Sequence, residues 1–334
     1  MILLYSTIIM INLILIKFHK KLNLFGVPYD MPDDTRKFHK DNVLISGGLI
    51  FLFNVLIFLI YLNFIDYFFL KKLFSNNQSF YSYIILLSAF FLLGFYDDKK
   101  NLNPNKKLLI LSLLYFMLVY SNDIFLLKSI KLSFYNNEFF LHSFSLPFTI
   151  LCLLLFTNAT NMYDGINLQS ASYYICLILF FLINNIFFKL FLFLLIPILT
   201  FGFLNFKNKS FLGDGGCYLV SFLFGSIFIA SYNLNLIMFA DTIFLLMILP
   251  GFDMLRLFAL RAIKKKSPFK ADREHIHHKM LLTFGYKNTI FILAFFQFII
   301  TVFLLINLNY FIILLTILFF YFFILFYARK NIRI

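Results

Sequence analysis

Charged residues are scarce in this sequence. Asp, Glu, Lys and Arg make up 13% of its 334 residues, whereas 62% are hydrophobic and 52 are phenylalanine. The mean hydropathy is +0.89. An ordinary soluble domain carries about 25% charged residues, so this composition excludes that class and indicates a chain that is solvated largely by lipid.

Cysteine and histidine are also few, which limits disulfide and metal chemistry. The three cysteines, Cys152, Cys176 and Cys217, form no CxxC pair and argue against a disulfide framework. A zinc protease needs an HExxH motif, and membrane di-iron oxygenases need several histidine boxes. With six histidines and no such motif, the sequence predicts neither enzyme.

Long apolar runs are abundant, and each is near the length of about 20 residues that crosses a hydrocarbon core of about 30 Å. We predict an all-α polytopic membrane bundle, one domain over residues 1–334, with eleven transmembrane helices. The predicted segments are 1–18, 43–65, 80–96, 108–120, 146–156, 171–186, 190–206, 217–233, 236–252, 289–306 and 310–327. The first lacks a basic start and a small-residue cleavage site, so we expect an anchor rather than a removed signal.

The distribution of basic residues predicts the orientation, because Lys and Arg mark cytoplasmic loops. With the N-terminus outside and the C-terminus cytoplasmic, nearly all of the 29 basic residues fall inside; the exceptions are Lys71, Lys72, Lys128, Lys131 and Lys189. The net charge of +14 therefore reflects topology and does not indicate nucleic acid. A basic inner face still attracts anionic membrane lipids and phosphate-bearing substrates. Alternating residues near 128–142 predict a small external β-hairpin.

Two adjacent carboxylates, Asp97 and Asp98, directly follow an apolar segment in GFYDDKKNLNP. Ionisable groups at the edge of a membrane bundle are costly unless they face water or partners, so they indicate a functional site. A solvated helix end neutralised by Lys99 and Lys100 explains them equally well.

A polar stripe is predicted in TNATNMYDGIN, where Asn158, Asn161 and Asp164 are spaced three residues apart and would share a helix face. Gly165 would let the chain leave the helix. Two amides and a carboxylate suit a nucleotide, a sugar or a hydrated metal ion. The alternative is a hydrogen-bond network within the helix bundle.

Asp214 lies between glycines at the start of a further apolar segment, in NKSFLGDGGCYLVSF. Such a carboxylate can hold Mg²⁺, which prefers oxygen ligands. Free backbone N–H groups at a helix start also favour phosphate. An N-cap aspartate is the alternative.

Half of the histidines lie in SPFKADREHIHHKML. His275, His277 and His278 cannot all share one helix face; in a helix, His278 would stay with His275 and His277 would point elsewhere. Arg261 and the lysines around them repel a metal ion but attract a diphosphate. The stretch therefore favours phosphoryl transfer over zinc binding.

In this order, the motifs resemble the polyprenyl-phosphate N-acetylhexosamine-1-phosphate transferases of glycosyltransferase family 4, over residues 30–285. HIHH after an acidic residue is similar to the branch that transfers GlcNAc-1-phosphate. The resemblance implies that undecaprenyl phosphate attacks the sugar-bearing phosphate of a UDP-N-acetylhexosamine, giving undecaprenyl-diphosphate-sugar and UMP. Mg²⁺, or Mn²⁺ in its place, would neutralise the developing charge.

The same resemblance implies a location and a pathway. We expect a bacterial inner-membrane enzyme with its active site on the cytoplasmic face, which starts the synthesis of a cell-envelope polysaccharide such as lipopolysaccharide. A homodimer is compatible with the sequence. The identity of the sugar stays open.

Site residues carry over by motif. The resemblance implies catalytic roles for Asp97, Asp98, Asp214, Asp272 and His275, with Asp214 and Asp97 as metal ligands. It implies substrate contacts for Asn158, Asn161, Asp164, Gly165, Ile166, Asn167, Arg261, His277 and His278.

Three departures from the family pattern concern the substrate contacts. DGINLQ has Asn167 where the family commonly has Asp, GDGGC has Cys217 where it has Ser, and DMPDDTRKFH is one residue longer than usual. Two alternatives remain from other classes. A lipid or sugar transporter predicts acids throughout the bilayer depth, and a non-catalytic assembly scaffold predicts loss of the catalytic acids, which are all present.

Overall fold

The computed structural model of the chain describes residues 2–32, 41–65, 70–265, 267 and 274–332. In chain order its α-helices are α1 (Ile2–Phe18), α2 (Gly47–Ile65), α3 (Asn77–Lys100), α4 (Pro104–Ser121), α5 (Ser145–Tyr163), α6 (Gln169–Ile183), α7 (Phe188–Phe206), α8 (Gly213–Asn233), α9 (Ala240–Leu246), α10 (Ile248–Ile263), α11 (Ile276–Leu305) and α12 (Tyr310–Ile332). The strands are β1 (Tyr29–Asp30), β2 (Val43–Leu44), β3 (Ser129–Ile130) and β4 (Phe139–Phe140).

The all-α architecture is confirmed, but the count of eleven spans is not. Among the described residues, eight helices are long and apolar enough to cross a membrane, or nine if α9 and α10, which meet at a bend of 77°, form one span. Segments 108–120 and 171–186 form α4 and α6, which are not among the eight. α4 begins with the polar run PNKK, and α6 has only 15 residues, about 22 Å of helix. Orientation and the single-domain organisation stay predictions.

Helix α8 lies at the centre of the bundle, and every residue from Gly215 to Tyr232 is buried. It packs against α2, α3 and α5. The contact with α3 is close because Gly94 has no side chain: a Cβ there would lie 2.3 Å from the carbonyl oxygen of Asp214. Small residues at helix crossings allow such backbone approach in membrane proteins.

Hydroxyl pairs connect α8 to its neighbours inside the apolar core. Tyr83 of α3 and Ser226 of α8 lie 2.8 Å apart between oxygens, and Thr160 of α5 and Ser221 of α8 lie 2.6 Å apart. Each pair satisfies groups that would be costly to bury alone. The first pair joins the start of α3 to the second half of α8, and the second pair joins the end of α5 to the first half of α8.

Two small antiparallel strand pairs lie outside the helices. β1 pairs with β2, and β2 also contacts the segment before α8, where Phe211 N–H donates to the carbonyl of Leu44 over 3.0 Å. β3 pairs with β4 within the region where the sequence predicts a hairpin, with Ser129 opposite Phe140. The side of the membrane on which β3 and β4 lie stays a prediction.

Candidate active site

A tight turn between α3 and α4 positions the first acid. Asn101 ends α3 in the left-handed conformation (φ 49°), and Asn103 caps α4. Asp97, which is 1% exposed, accepts from Leu102 N–H over 2.7 Å and from the Tyr218 hydroxyl over 3.2 Å. These donors stabilise a buried carboxylate that would otherwise be costly.

Lys107, in the first turns of α4, supplies the opposite charge. Its ammonium forms an ion pair with Asp97 and lies 3.7 Å from Asp214 Oδ2. The sequence had offered Lys99 as the neutralising base, but the Lys99 ammonium lies 4.3 Å from the centre of the Phe95 ring. Sequence reasoning missed Lys107. The Asn103–Pro104 helix start was the available signal, because it predicts a chain reversal that returns α4 over the end of α3.

Asp98 holds the start of α8. Its Oδ1 accepts from Asp214 N–H over 2.8 Å, and its Oδ2 accepts from Gly215 N–H over 3.1 Å. The expectation of free N–H groups for a phosphate at this helix start is therefore wrong for these two amides. Their cap is a carboxylate from α3, which also interacts favourably with the helix dipole.

Asp214 is more accessible than Asp97. Its side chain is 30% exposed, whereas that of Asp97 is 1% exposed. Asn161 donates its amide to Asp214 Oδ1 over 2.7 Å. We call Asp97, Asp98, Asp214, Lys107 and Asn161 the carboxylate cluster. It brings the motifs of α3, α5 and α8 together, as the sequence predicts.

The chain after α5 forms a second wall. Asp164 caps the end of α5, and the Cys217 thiol, which stands in place of the family's serine, donates to its Oδ2 over 3.7 Å. Burial raises the pKa of Asp164 to about 6, although hydrogen bonds from Ser170 and Cys217 act in the opposite direction. Asp164 is therefore partly protonated at mildly acidic pH.

Three other residues that the sequence predicts as substrate contacts, Asn158, Ile166 and Asn167, lie in or after α5. Asn158 donates to the carbonyl of Leu154 in its own helix over 2.8 Å. Ile166 is half-buried. Asn167 donates to the carbonyl of Asn205 over 2.8 Å, which ties the loop to the end of α7. The described contacts of Asn158 and Asn167 thus belong to the protein framework.

His275 pairs with an acid that sequence reasoning missed. Asp253 belongs to α10, and its Oδ2 lies 2.9 Å from His275 Nδ1. Arg256 donates to Asp253 Oδ1 over 2.7 Å, and Tyr321 donates to the same oxygen over 3.1 Å. Asp253 is 3% exposed. An ionisable residue within an apolar helix was the signal that could have found it. Asp272 lies outside the described residues.

The other two histidines lie against His275. The ring centres of His275 and His277 are 5.1 Å apart, and those of His277 and His278 are 4.3 Å apart. The expectation that His277 points away is wrong, because α11 begins only at Ile276 and His275 precedes it in a non-helical conformation. A Cβ on Gly165 would lie 2.0 Å from His277 Nε2, so the histidines contact the loop after α5.

The basic loop is only partly described. Arg261 is 4% exposed near the end of α10. Lys264 is exposed, with its ammonium 3.9 Å from Glu274 Oε1. Lys266 and residues 268–273 lie outside the described residues, as do residues 33–39 of the DMPDDTRKFH motif.

Two groups of side chains could bind a metal ion. Asp214 offers a partly exposed carboxylate oxygen, a ligand that Mg²⁺ prefers. Among the described residues, Asp253, His275 and His277 also offer one ligand atom each, all within 4.8 Å of one another.

Part of the chain is similar to known proteins. Residues 80–232 match the family model of glycosyl transferase family 4. The family 4 region contains every member of the carboxylate cluster, together with Asp164, but not the three clustered histidines.

A curated relative gives a further comparison. The chain is similar to the probable undecaprenyl-phosphate N-acetylglucosaminyl 1-phosphate transferase of Bacillus subtilis (strain 168), at 29% identity over 227 residues, 63% of this chain. The matched part covers 61% of the length of that protein.

Proposed function

We propose that the chain transfers a sugar 1-phosphate from a UDP-N-acetylhexosamine to undecaprenyl phosphate. The observation that carries the proposal is the carboxylate cluster, in which three acids, a lysine and an amide from four helices converge. The family 4 match and the name of the Bacillus subtilis relative support the same reaction class. A transporter predicts acids throughout the bilayer depth, whereas these three acids meet in one cluster.

The reaction exchanges one phosphoryl bond for another. An oxygen of the acceptor phosphate forms a bond to the sugar-bearing phosphorus of the donor, and the bond from that phosphorus to the bridging oxygen breaks. UMP leaves with the bond's electron pair, and undecaprenyl-diphosphate-sugar remains. Such transfer depends on positioning and on stabilising charge on the phosphoryl oxygens.

The residues fit a role for Mg²⁺, with Mn²⁺ as a substitute. Asp214 is the best ligand because it is partly exposed, whereas Asp97 is buried and accepts from three donors, and both oxygens of Asp98 accept backbone N–H groups. Bound Mg²⁺ would neutralise charge on the diphosphate. Lys107 would add positive charge beside it.

His275 would serve as a donor to the diphosphate. Its Nδ1 faces Asp253, which fixes the orientation of the ring. Preorganised donors of this kind stabilise charge that develops in a transition state. His277 packs directly against Gly165, so the histidines lie close to the loop that follows Asn161.

An apolar groove supplies a place for the acceptor's hydrocarbon chain. The groove has a volume of about 540 Å³ and is lined by residues such as Leu127, Phe228, Phe244 and Leu314. It also reaches Ala159 and Met254, which adjoin Asn158 and Asp253 in the sequence. A lipid whose chain lies in the groove would therefore have its phosphate near the polar site.

A donor panel tests the reaction and identifies the sugar. Membranes with the full chain would be incubated with undecaprenyl phosphate, Mg²⁺ and radiolabelled UDP-sugars, and label in the lipid phase would be measured together with released UMP. We expect transfer from at least one UDP-N-acetylhexosamine. Asp214→Asn should abolish it without loss of inserted protein, because an amide lacks the anionic oxygen that Mg²⁺ prefers. Equal transfer by the variant would refute the assignment of Asp214.

We also propose that the site faces the cytoplasm of a bacterial inner membrane, with the N-terminus outside. Lys264→Cys should react with an impermeant thiol reagent only from the inner side, and Asn136→Cys only from the outer side. Both positions are exposed, while the native cysteines are buried or half-buried. Labelling of both variants from one side would contradict this topology.

A further inference from the structure

Asp253, His275 and His277 form a compact group of nitrogen and oxygen ligands, which we call the imidazole cluster. One ligand atom from each residue lies within 4.8 Å of the other two. The side chains of Asp253 and His275 are 4% and 12% exposed, and His277 is 1% exposed. The acid comes from α10, and the histidines are the N-cap residue and a first-turn residue of α11. None of its residues belongs to the carboxylate cluster or to the family 4 region.

The two oxygens of Asp253 have different partners. Oδ1 accepts from Arg256 over 2.7 Å, from Ile276 N–H over 3.1 Å and from Tyr321 over 3.1 Å. Oδ2 lies 2.9 Å from His275 Nδ1. Three donors thus hold one oxygen and leave the other beside the histidines. Outer hydrogen bonds of this kind orient the carboxylates that bind metal ions.

His277 has an unsatisfied polar atom. Its side chain is 1% exposed, and its buried Nδ1 has no hydrogen-bond partner among the described residues. Buried polar atoms nearly always have a partner, and an ion is one explanation for an exception. The ring centres of His275 and His277 are 5.1 Å apart, so a second imidazole lies beside this ring.

We propose that the imidazole cluster binds a transition-metal ion of the Zn²⁺ class. Two imidazoles and one carboxylate suit Zn²⁺ and its neighbours, while Mg²⁺ prefers oxygen ligands alone. Arg256 opposes a cation, but its guanidinium is directed at Oδ1, at the Glu274 carbonyl and at Tyr321. Such a ligand set leaves a fourth tetrahedral position for water or a phosphate oxygen.

Binding rearranges the hydrogen bonds of the imidazole cluster. Bonds would form from the metal to Asp253 Oδ2, to His275 Nδ1 and to a nitrogen of His277, and they would replace the hydrogen bond between Asp253 and His275. The metal binds neutral imidazole, so the ring of His275 would keep one proton, on Nε2.

The test measures metal binding to the purified full chain without any substrate. Zn²⁺ would be titrated against a chromophoric chelator in excess Mg²⁺. We expect one tight site per chain. Tyr321→Phe should weaken affinity by roughly 10- to 100-fold because it removes an outer donor, and His277→Gln should weaken it more.

Matched variants separate this site from others. His142→Ala removes an exposed histidine near β4 and should bind Zn²⁺ like the wild type. Asp214→Asn should also retain Zn²⁺ binding, so a failure of the proposed transferase chemistry leaves this result standing. Unchanged affinity in folded His277→Gln would overturn the proposal. Absence of tight binding in the wild type would do so without any variant.

Discussion

The raised pKa of Asp164 predicts a variant that gains stability. A carboxyl whose pKa rises on folding favours its neutral form in the native state, so folding stability falls as pH rises from the ordinary pKa of 3.8 to about 6 and stays lower above it. Asp164→Asn removes this ionisation. The variant should therefore be more stable than the wild type at neutral pH.

The magnitude follows from the shift. The rise of the Asp164 pKa from 3.8 to about 6 on folding destabilises the folded state by about 3 kcal/mol at pH 7.5. At pH 4.5 the same linkage destabilises it by about 1 kcal/mol. Asp164 keeps partial exposure, so solvent screening reduces both figures. We expect the gain from Asp164→Asn to be about 1–2 kcal/mol larger at pH 7.5 than at pH 4.5.

Thermal unfolding in detergent would measure this difference. The chain has no tryptophan, so the transition would be followed by circular dichroism. Asp123→Asn makes the same chemical change at a side chain that is 83% exposed and serves as the matched control. An equal gain at both pH values, or the same pH dependence in Asp123→Asn, would refute the argument. Because Asp164 lies in the candidate site, the stabilised variant should also lose transfer activity.

Two further predictions concern the packing of the site. Lys107→Gln leaves a buried carboxylate without its counter-ion. Loss of a charged hydrogen bond costs about 1.5–3 kcal/mol, so transfer should fall by roughly 10- to 150-fold. Lys106→Gln, at the exposed neighbouring position, should retain near-normal turnover, and equal losses in both variants would contradict a specific role for Lys107. Gly94→Ala places a methyl group against the α8 backbone and should cost about 1–3 kcal/mol of stability. Gly251→Ala, where a Cβ has no neighbour within 4 Å, is its control; a similar loss in both variants would show that the close contact of α3 with α8 is not the cause.

The sequence by itself determined the all-α class of the protein and predicted the main parts of the candidate site. Apolar runs produce helices because a backbone in lipid must satisfy its own hydrogen bonds. Asp97, Asp98, Asn161 and Asp214 were predicted because acids and amides beside apolar segments are costly without a function. These inferences depend on composition and local spacing, which the chain carries before it folds.

Tertiary structure alone decided which groups meet. Asp253 pairs with His275 across 22 positions, and Lys107 pairs with Asp97 through a turn, since contacts between helices depend on packing angles that local spacing does not contain. Asp98 accepts hydrogen bonds from two backbone N–H groups of α8 that the sequence predicted to be free for phosphate. The number of spans also depended on the fold, because the break between α9 and α10 and the short length of α6 became visible only there. A helix can be predicted from its residues, but its partners are set by the surfaces that fit against it.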